Sequence, residues 1–180
     1  MKPENLEHLK YPIGKAEIPK TISLEQIKEW IKVLEDFPLQ LNNLVNNLSN
    51  EQLDTPYRSE GWTVRQVIHH LADSHHNSYT RFKWALTEDK PVIKAYYEDR
   101  WAQLKDSQSA PILLSLNALT ALHAKWVYFL KSLDPEELKQ VFIHPDGYEE
   151  VSLAENIGIY AWHSKHHYAH INNLIKRMEW

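Results

Sequence analysis

The stretch from Tyr160 to Ile171, YAWHSKHHYAHI, holds four of the chain's eleven histidines. Imidazole is the commonest protein ligand for transition metals. Two pairs here, His163/His167 and His166/His170, are spaced i,i+4, so either could grip one ion from one face of a helix. A second cluster, His69, His70, His75 and His76, lies in VIHHLADSHH. There is no cysteine, which excludes disulfides, thiolate metal sites and a cysteine nucleophile. Any thiol chemistry would need the thiol as a substrate. No H-E-x-x-H occurs, no Glu stands three residues before a His, and no G-x-S-x-G is present. The zinc-protease helix, the di-iron bundle pairs and the serine elbow are therefore absent.

Helical periodicity orders the candidates. On a wheel of about 100° per residue, Leu153, Ile157, Tyr160, Ile171, Ile175 and Met178 form one apolar stripe. His167 lies about 40° and His163 about 80° from its centre, while His170 is about 100° and His166 about 140° away. The inner pair is His163/His167, and His166 is expected in solvent. Zinc in catalytic sites usually takes three protein ligands and keeps one position open. On the second helix His75 sits near the stripe centre, His70 at one edge about 100° off, and His69 and His76 outside, in solvent. Periodicity favours His75 as the third ligand. A stripe centre is also where helices pack tightest, so His75 has a purely structural reading, and spacing does not decide.

The elements that must position these residues are helices. Ser23 and Gln26 have capping-box spacing ahead of Ile27, Trp30, Ile31 and Leu34. Pro38 should break or kink that helix, leaving one long kinked helix or two pieces. Thr63 and Gln66 open a second helix with Val64, Val67, Ile68, Leu71, Tyr79, Phe82 and Leu86 on one stripe. Residues 91–110 read as a long connection with a helical turn near Trp101. A third helix opens near Pro111 and runs to Asp134-Pro135. VFIHPDGYEEVSL reads as a small irregular hairpin turned by Pro145-Asp146-Gly147. Ser152 and Glu155 cap the last helix. The fold class is all-α, a four-helix bundle with a long connection between helices 2 and 3. Residues 1–180 form one domain, with 1–20 as an arm over it.

Composition narrows the function classes. A length of 180 residues with 43% hydrophobic residues suits one globular domain. Only four glycines disfavour an all-β fold. The net charge of −4, with no densely basic stretch, argues against nucleic acid and acidic membrane surfaces. No apolar run approaches the roughly 20 residues of a membrane span. MKPENLEHLKYPIGK lacks the apolar core of a signal peptide, so a cytoplasmic address is expected.

The chain resembles the DinB-like superfamily of metal-binding four-helix bundles, and within it the YfiT group, which carries a metal-dependent hydrolase label. PYRSEGWTVRQVIHHLADSH (56–75), RFKWALTEDKPVIK (81–94), WAQL (101–104), HPDG (144–147) and YAWHSKHHYAHI (160–171) carry the resemblance. They stand in order over nearly the whole chain. The resemblance implies a three-histidine metal site: one ligand from the second helix just before a Leu, as in His70-Leu71, and two from the last helix as H-x-x-x-H. It selects His70, His163 and His167, agreeing with the wheel on the last helix and overriding its lean to His75 on the second. One departure is Ala95-Tyr96-Tyr97-Glu98, where the group often reads Pro-Tyr-Asp-Glu; if this loop borders the pocket, substrate preference differs.

Three neutral imidazoles leave the ion's charge uncompensated. Such a site lowers the pKa of bound water to about 7 and equally suits thiolate sulfur. The first option gives a hydrolase, the second an S-transferase for a low-molecular-weight thiol of the bacillithiol or mycothiol kind; the resemblance implies both. Zn²⁺ is the expected ion, with Ni²⁺ also suited. The partners expected are a small-molecule substrate and, for the assembly, a homodimer. Asp73, Glu98, Tyr160 and Asn156 are candidates for a general base or for groups supporting the ligands. The competing class is a non-catalytic bundle stapled by a closed four-ligand metal, with His75 or His144 as the fourth ligand.

Overall fold

The computed structural model describes residues 6–180. Four long helices dominate: α2 (Leu24–Val45), α4 (Val64–Thr87), α7 (Ile112–Leu130) and α8 (Leu153–Met178). Short helices α1 (Leu6–Lys10), α3 (Asn50–Leu53), α5 (Glu98–Trp101) and α6 (Lys105–Ser109), a 3₁₀ turn (Glu137–Lys139) and a two-stranded hairpin, β1 (Val141–His144) with β2 (Glu149–Ser152), complete the order. Both α2 and α4 pack against α7 and α8. Consecutive long helices α2 and α4 are therefore diagonal partners, which sets this bundle apart from an up-and-down one.

The caps read from the sequence are formed. Thr63 and Gln66 exchange both bonds of a capping box at α4, and Ser152 and Glu155 do so at α8. At α2 Ser23 accepts from the Gln26 N–H, but the Gln26 side chain turns to Glu29, so that box is half made. A further box, Ser49 with Gln52, opens α3, an element the sequence reading passed over. The helix α2 runs unbroken through Pro38, settling the choice in favour of one long helix. The helix α7 stops at Leu130 rather than at Asp134-Pro135.

By length and composition alone α7 would suffice to cross a membrane, with a mean hydropathy of 1.2. This corrects the expectation that no apolar run comes near that length. In the bundle α7 is one wall of the core, burying Leu116, Leu119, His123, Trp126, Val127 and Leu130.

Two apolar clusters form the core. One joins Ile27, Ile31, Leu34, Phe82, Trp126, Phe142, Leu153, Ile157 and Tyr160. The other joins Phe37, Leu41, Val67, Ile68, Leu71, Leu119, Ile171 and Leu174. Every long helix passes from one cluster to the other, and three of them carry buried polar side chains at the crossing. These are Ser74, His75 and Ser78 on α4, His123 on α7, and Ser164, His166 and His167 on α8. Hydrophobic burial holds the two ends and leaves a polar band between them.

Connections close over this frame. The hairpin pairs Val141 with Ser152 through His144 with Glu149. Its turn holds Gly147 at φ 81°, a conformation glycine adopts at no steric cost. The long connection after α4 is pinned to β1, where the Ile143 N–H donates to Pro91 O and the Ile93 N–H to Ile143 O. The described part of the arm lies against α8. A Cβ at Gly158 would come within 2.9 Å of both Ile18 and Trp30, so any side chain at this crossing would force one of these neighbours to move. Residues 1–5 of the expected arm lie outside the described residues.

Candidate metal centre

The polar band brings His70, His163 and His167 together. One nitrogen from each lies within 4.8 Å of the others. His70 Nε2 and His163 Nε2 are 3.2 Å apart. The i,i+4 spacing stacks His163 and His167 on one face of α8, and α4 delivers His70 from the adjacent wall. His70 and His167 are buried, and His163 is partly accessible.

Burial decides the charge of these rings. Desolvation lowers His70 to about 4. It pushes His163 and His167 well below the ordinary value, with neighbouring imidazoles adding to the effect. The ligand set is therefore neutral at pH 7 and offers lone pairs rather than protons. These donors fit a divalent transition ion: three borderline nitrogen ligands that need release no net proton to bind it.

His75, favoured by the wheel, is fully buried but belongs to a different structure. Its Nδ1 meets His123 Nε2 at 2.7 Å and its Nε2 meets His163 Nδ1 at 3.1 Å, and its ring stacks on Phe37. His123 in turn meets Leu34 O at 2.6 Å through Nδ1. The sequence reading missed His123. A histidine on the apolar stripe of α7, at the spacing of Leu116, Leu119 and Trp126, was the available signal.

Two solvent assignments are corrected. His166 is buried, because its ring stacks on Trp162 at 4.4 Å and Tyr11 of the arm covers it. His69 is buried too, held by Ser115 Oγ at 2.7 Å and Ala110 O at 3.2 Å. A wheel built on one helix takes no account of an arm or a connection folded over its polar side. His76 is exposed, as expected. His170 is enclosed between Tyr57, stacked at 4.0 Å, and Lys10 O at 3.0 Å.

The second close group, His166, His167 and His170, shares His167 with the first. His144 stays on the hairpin, accepting from the Asp146 N–H, and joins neither group. Of the supporting candidates, Tyr160 pairs with Ser74 at 3.3 Å and Asn156 donates to Ser78. Asp73, raised to about 6 by burial, lines a separate hollow with His69, His76 and Asp106. Glu98 is exposed and shares a cleft with His167. With Lys10, Arg58, Glu60, Asp99, His166, His167 and others it lines a cleft of about 410 Å³. The departing loop also reaches the centre: Tyr96 Oη is 3.5 Å from His70 Nδ1. Trp62 lies beside two of the three rings, 4.7 Å from His70 and 6.4 Å from His167.

Comparison with known proteins shows the family and the fold. The DinB superfamily matches residues 26–171. "Putative metal-dependent hydrolase OB0782" of Oceanobacillus iheyensis is 53% identical over 171 residues, covering 95% of this chain and 98% of its own length. "Putative metal-dependent hydrolase YfiT" of Bacillus subtilis is 50% identical over 173 residues, covering 96% and 97%. The solved structure of YfiT, described as "a probable metal-dependent hydrolase with an unusual four-helix bundle topology", superposes with a TM-score of 0.94 at 50% identity. It covers 96% of this chain and 99% of that one.

Proposed function

The chain belongs to the DinB superfamily, and from that membership we propose that it is a metal-dependent hydrolase whose ion is held by His70, His163 and His167. One observation carries the reading: three neutral imidazoles from two helices converge within 4.8 Å, with His167 on the wall of an open cleft. The name shared by the relatives supports hydrolysis. Three converging protein ligands, with His75 and His144 engaged elsewhere, support a catalytic site over a closed staple.

A divalent ion held there, Zn²⁺ or Ni²⁺, supplies Lewis acidity and lowers the pKa of a water or thiol brought to it. The chain's own residues do the rest. Trp62 shields two of the ligand rings from water, which strengthens electrostatic interactions beside it. Lys10 and Arg58 face the cleft together with Glu60, Glu98 and Asp99. These mixed charges suit a small polar substrate rather than a polyanion or a membrane surface. Glu98 and His166, both on the wall of that cleft, are our candidates for exchanging a proton with that substrate. The reaction is assigned to the cytoplasm, and a homodimer remains the proposed assembly.

The test is a screen of esters, amides and lactams with protein loaded with Zn²⁺ or Ni²⁺, with and without a low-molecular-weight thiol. Metal-dependent hydrolysis indifferent to thiol supports the reading. Stoichiometric thiol consumption with an S-conjugate product transfers the assignment to a thiol S-transferase. A rate unaffected by chelation removes both and leaves a stapled bundle.

A further inference from the structure

Neither ligand on α8 chooses its nitrogen alone. A carbonyl oxygen only accepts, so the imidazole nitrogen that meets it carries the proton, and a neutral ring is then an acceptor at its other nitrogen. Leu34 O fixes His123 in this way: Nδ1–H donates at 2.6 Å, and Nε2 is left to accept. His75 must therefore donate from Nδ1, at 2.7 Å. His75 Nε2 then accepts from His163 Nδ1–H at 3.1 Å. The lone pair of His163 falls on Nε2, the atom that faces His70.

A shorter chain fixes the other ligand. Lys10 O in the arm accepts from His170 Nε2–H at 3.0 Å. His170 Nδ1 then accepts from His167 Nδ1–H at 3.3 Å. The lone pair of His167 again falls on Nε2. In this arrangement the free lone pair of His170 is taken by His167, and the second close group shares His167 with the first.

The acceptor that starts the longer chain has a covalent origin. Pro38 lies inside α2 and has no N–H, so Leu34 O lacks its helical i+4 donor. An ordinary residue at 38 would claim that carbonyl. With proline there, a buried oxygen faces α7, and His123 takes it.

We propose that Pro38, Leu34 O, His123 and His75 form a tautomer-setting chain that aims Nε2 of His163 at the metal, and that Lys10 O and His170 do the same for His167. These are positioning residues; none touches the ion. The inference rests on the three-histidine reading of the centre. Ligand histidines are commonly oriented by a carboxylate or a carbonyl. Here imidazoles carry the orientation inward from backbone carbonyls, so no negative charge is added next to the ligands and the ion keeps its full acidity.

The first test needs neither a variant nor a metal. Long-range ¹H–¹⁵N correlation spectra of the ¹⁵N-histidine-labelled, metal-free protein at pH 7 should show His123, His75 and His163 all as Nδ1–H tautomers. An Nε2–H tautomer at His75 or His163 overturns the chain. The second test uses His123→Phe, which keeps an aromatic ring beside Phe37 and Trp126 but removes both nitrogens. Chelator competition with Zn²⁺ should show affinity lowered by about 10- to 100-fold in a folded variant, with exposed His76→Ala unchanged. Unaltered affinity in folded His123→Phe overturns the proposal; if that variant does not fold, the spectra of the unmutated protein decide. A wild-type protein that takes up no Zn²⁺ sinks the metal centre itself, and the metal-free spectra still judge the chain separately.

Discussion

His70 Nε2 lies 3.2 Å from His163 Nε2, although 93 residues separate them in the chain. Two neutral imidazoles meet this closely either through one N–H or by turning two lone pairs to a shared cation. His163 offers a lone pair at Nε2, so in metal-free protein His70 donates its Nε2–H. Loading the site requires that proton to move to Nδ1, where Tyr96 Oη stands at 3.5 Å. His70 is thus the one ligand expected to change tautomer on Zn²⁺ binding. Histidine ¹⁵N shifts recorded before and after loading check this; a His70 already in the Nδ1–H form without metal would contradict it.

His166 should prove dispensable for metal. It stands outside the first triad, and its Nδ1 is buried with no hydrogen-bond partner among the described residues. In His166→Ala the ratio of bound Zn²⁺ to protein should equal that of wild type. Loss of metal there would mean that the i,i+4 pair had been chosen wrongly.

Acid should unfold the protein through its histidines. Burial depresses His70, His123 and His170 to about 4, and His75, His163 and His167 lie well below their ordinary value. In the unfolded chain these groups titrate near 6.5. Between the two values the unfolded state binds more protons, so stability is full above about pH 6.5 and falls as pH drops toward 4. Urea unfolding at a series of pH values should show a plateau from about pH 7 upward and a steep decline below 6.5. A flat profile over that window would contradict a neutral buried cluster.

Stability and metal binding should separate at Arg65. This buried guanidinium donates to Asp54 at 2.7 Å, to Ala110 O at 3.0 Å and to Asn50 at 3.0 Å, tying the start of α4 to α3 and to the entry of α7. Arg65→Met removes three charge-assisted bonds and should cost about 2–4 kcal/mol by urea unfolding. Zn²⁺ stoichiometry of the folded variant should not change. A loss below about 0.5 kcal/mol would show the network to be ornamental.

What could be read from sequence followed from how local the cause was. Thr63/Gln66 and Ser152/Glu155 act within one turn, so α4 and α8 were legible to the residue at their starts. His163 and His167 were legible because both lie on one helix whose stripe fixes their direction. His70 was not legible from spacing: its edge position on α4 becomes an inward one only because α8 packs on that side, and the family pattern was needed to select it. His166 and His69 were misplaced because tertiary cover, by Trp162 and Tyr11 in one case and by Ser115 and Ala110 in the other, leaves no periodic trace. The role of Pro38 was hidden for a related reason. The proline announced a missing hydrogen bond, but only the fold shows that His123 from α7 accepts the vacated carbonyl's invitation to donate.

The central claim is that His70, His163 and His167 hold one divalent ion, and the metal content of His163→Ala tests it most directly. After loading with Zn²⁺ and removal of unbound ion, wild type should retain about one ion per chain and the folded variant close to none. A folded His163→Ala that retains the wild-type amount would contradict the account.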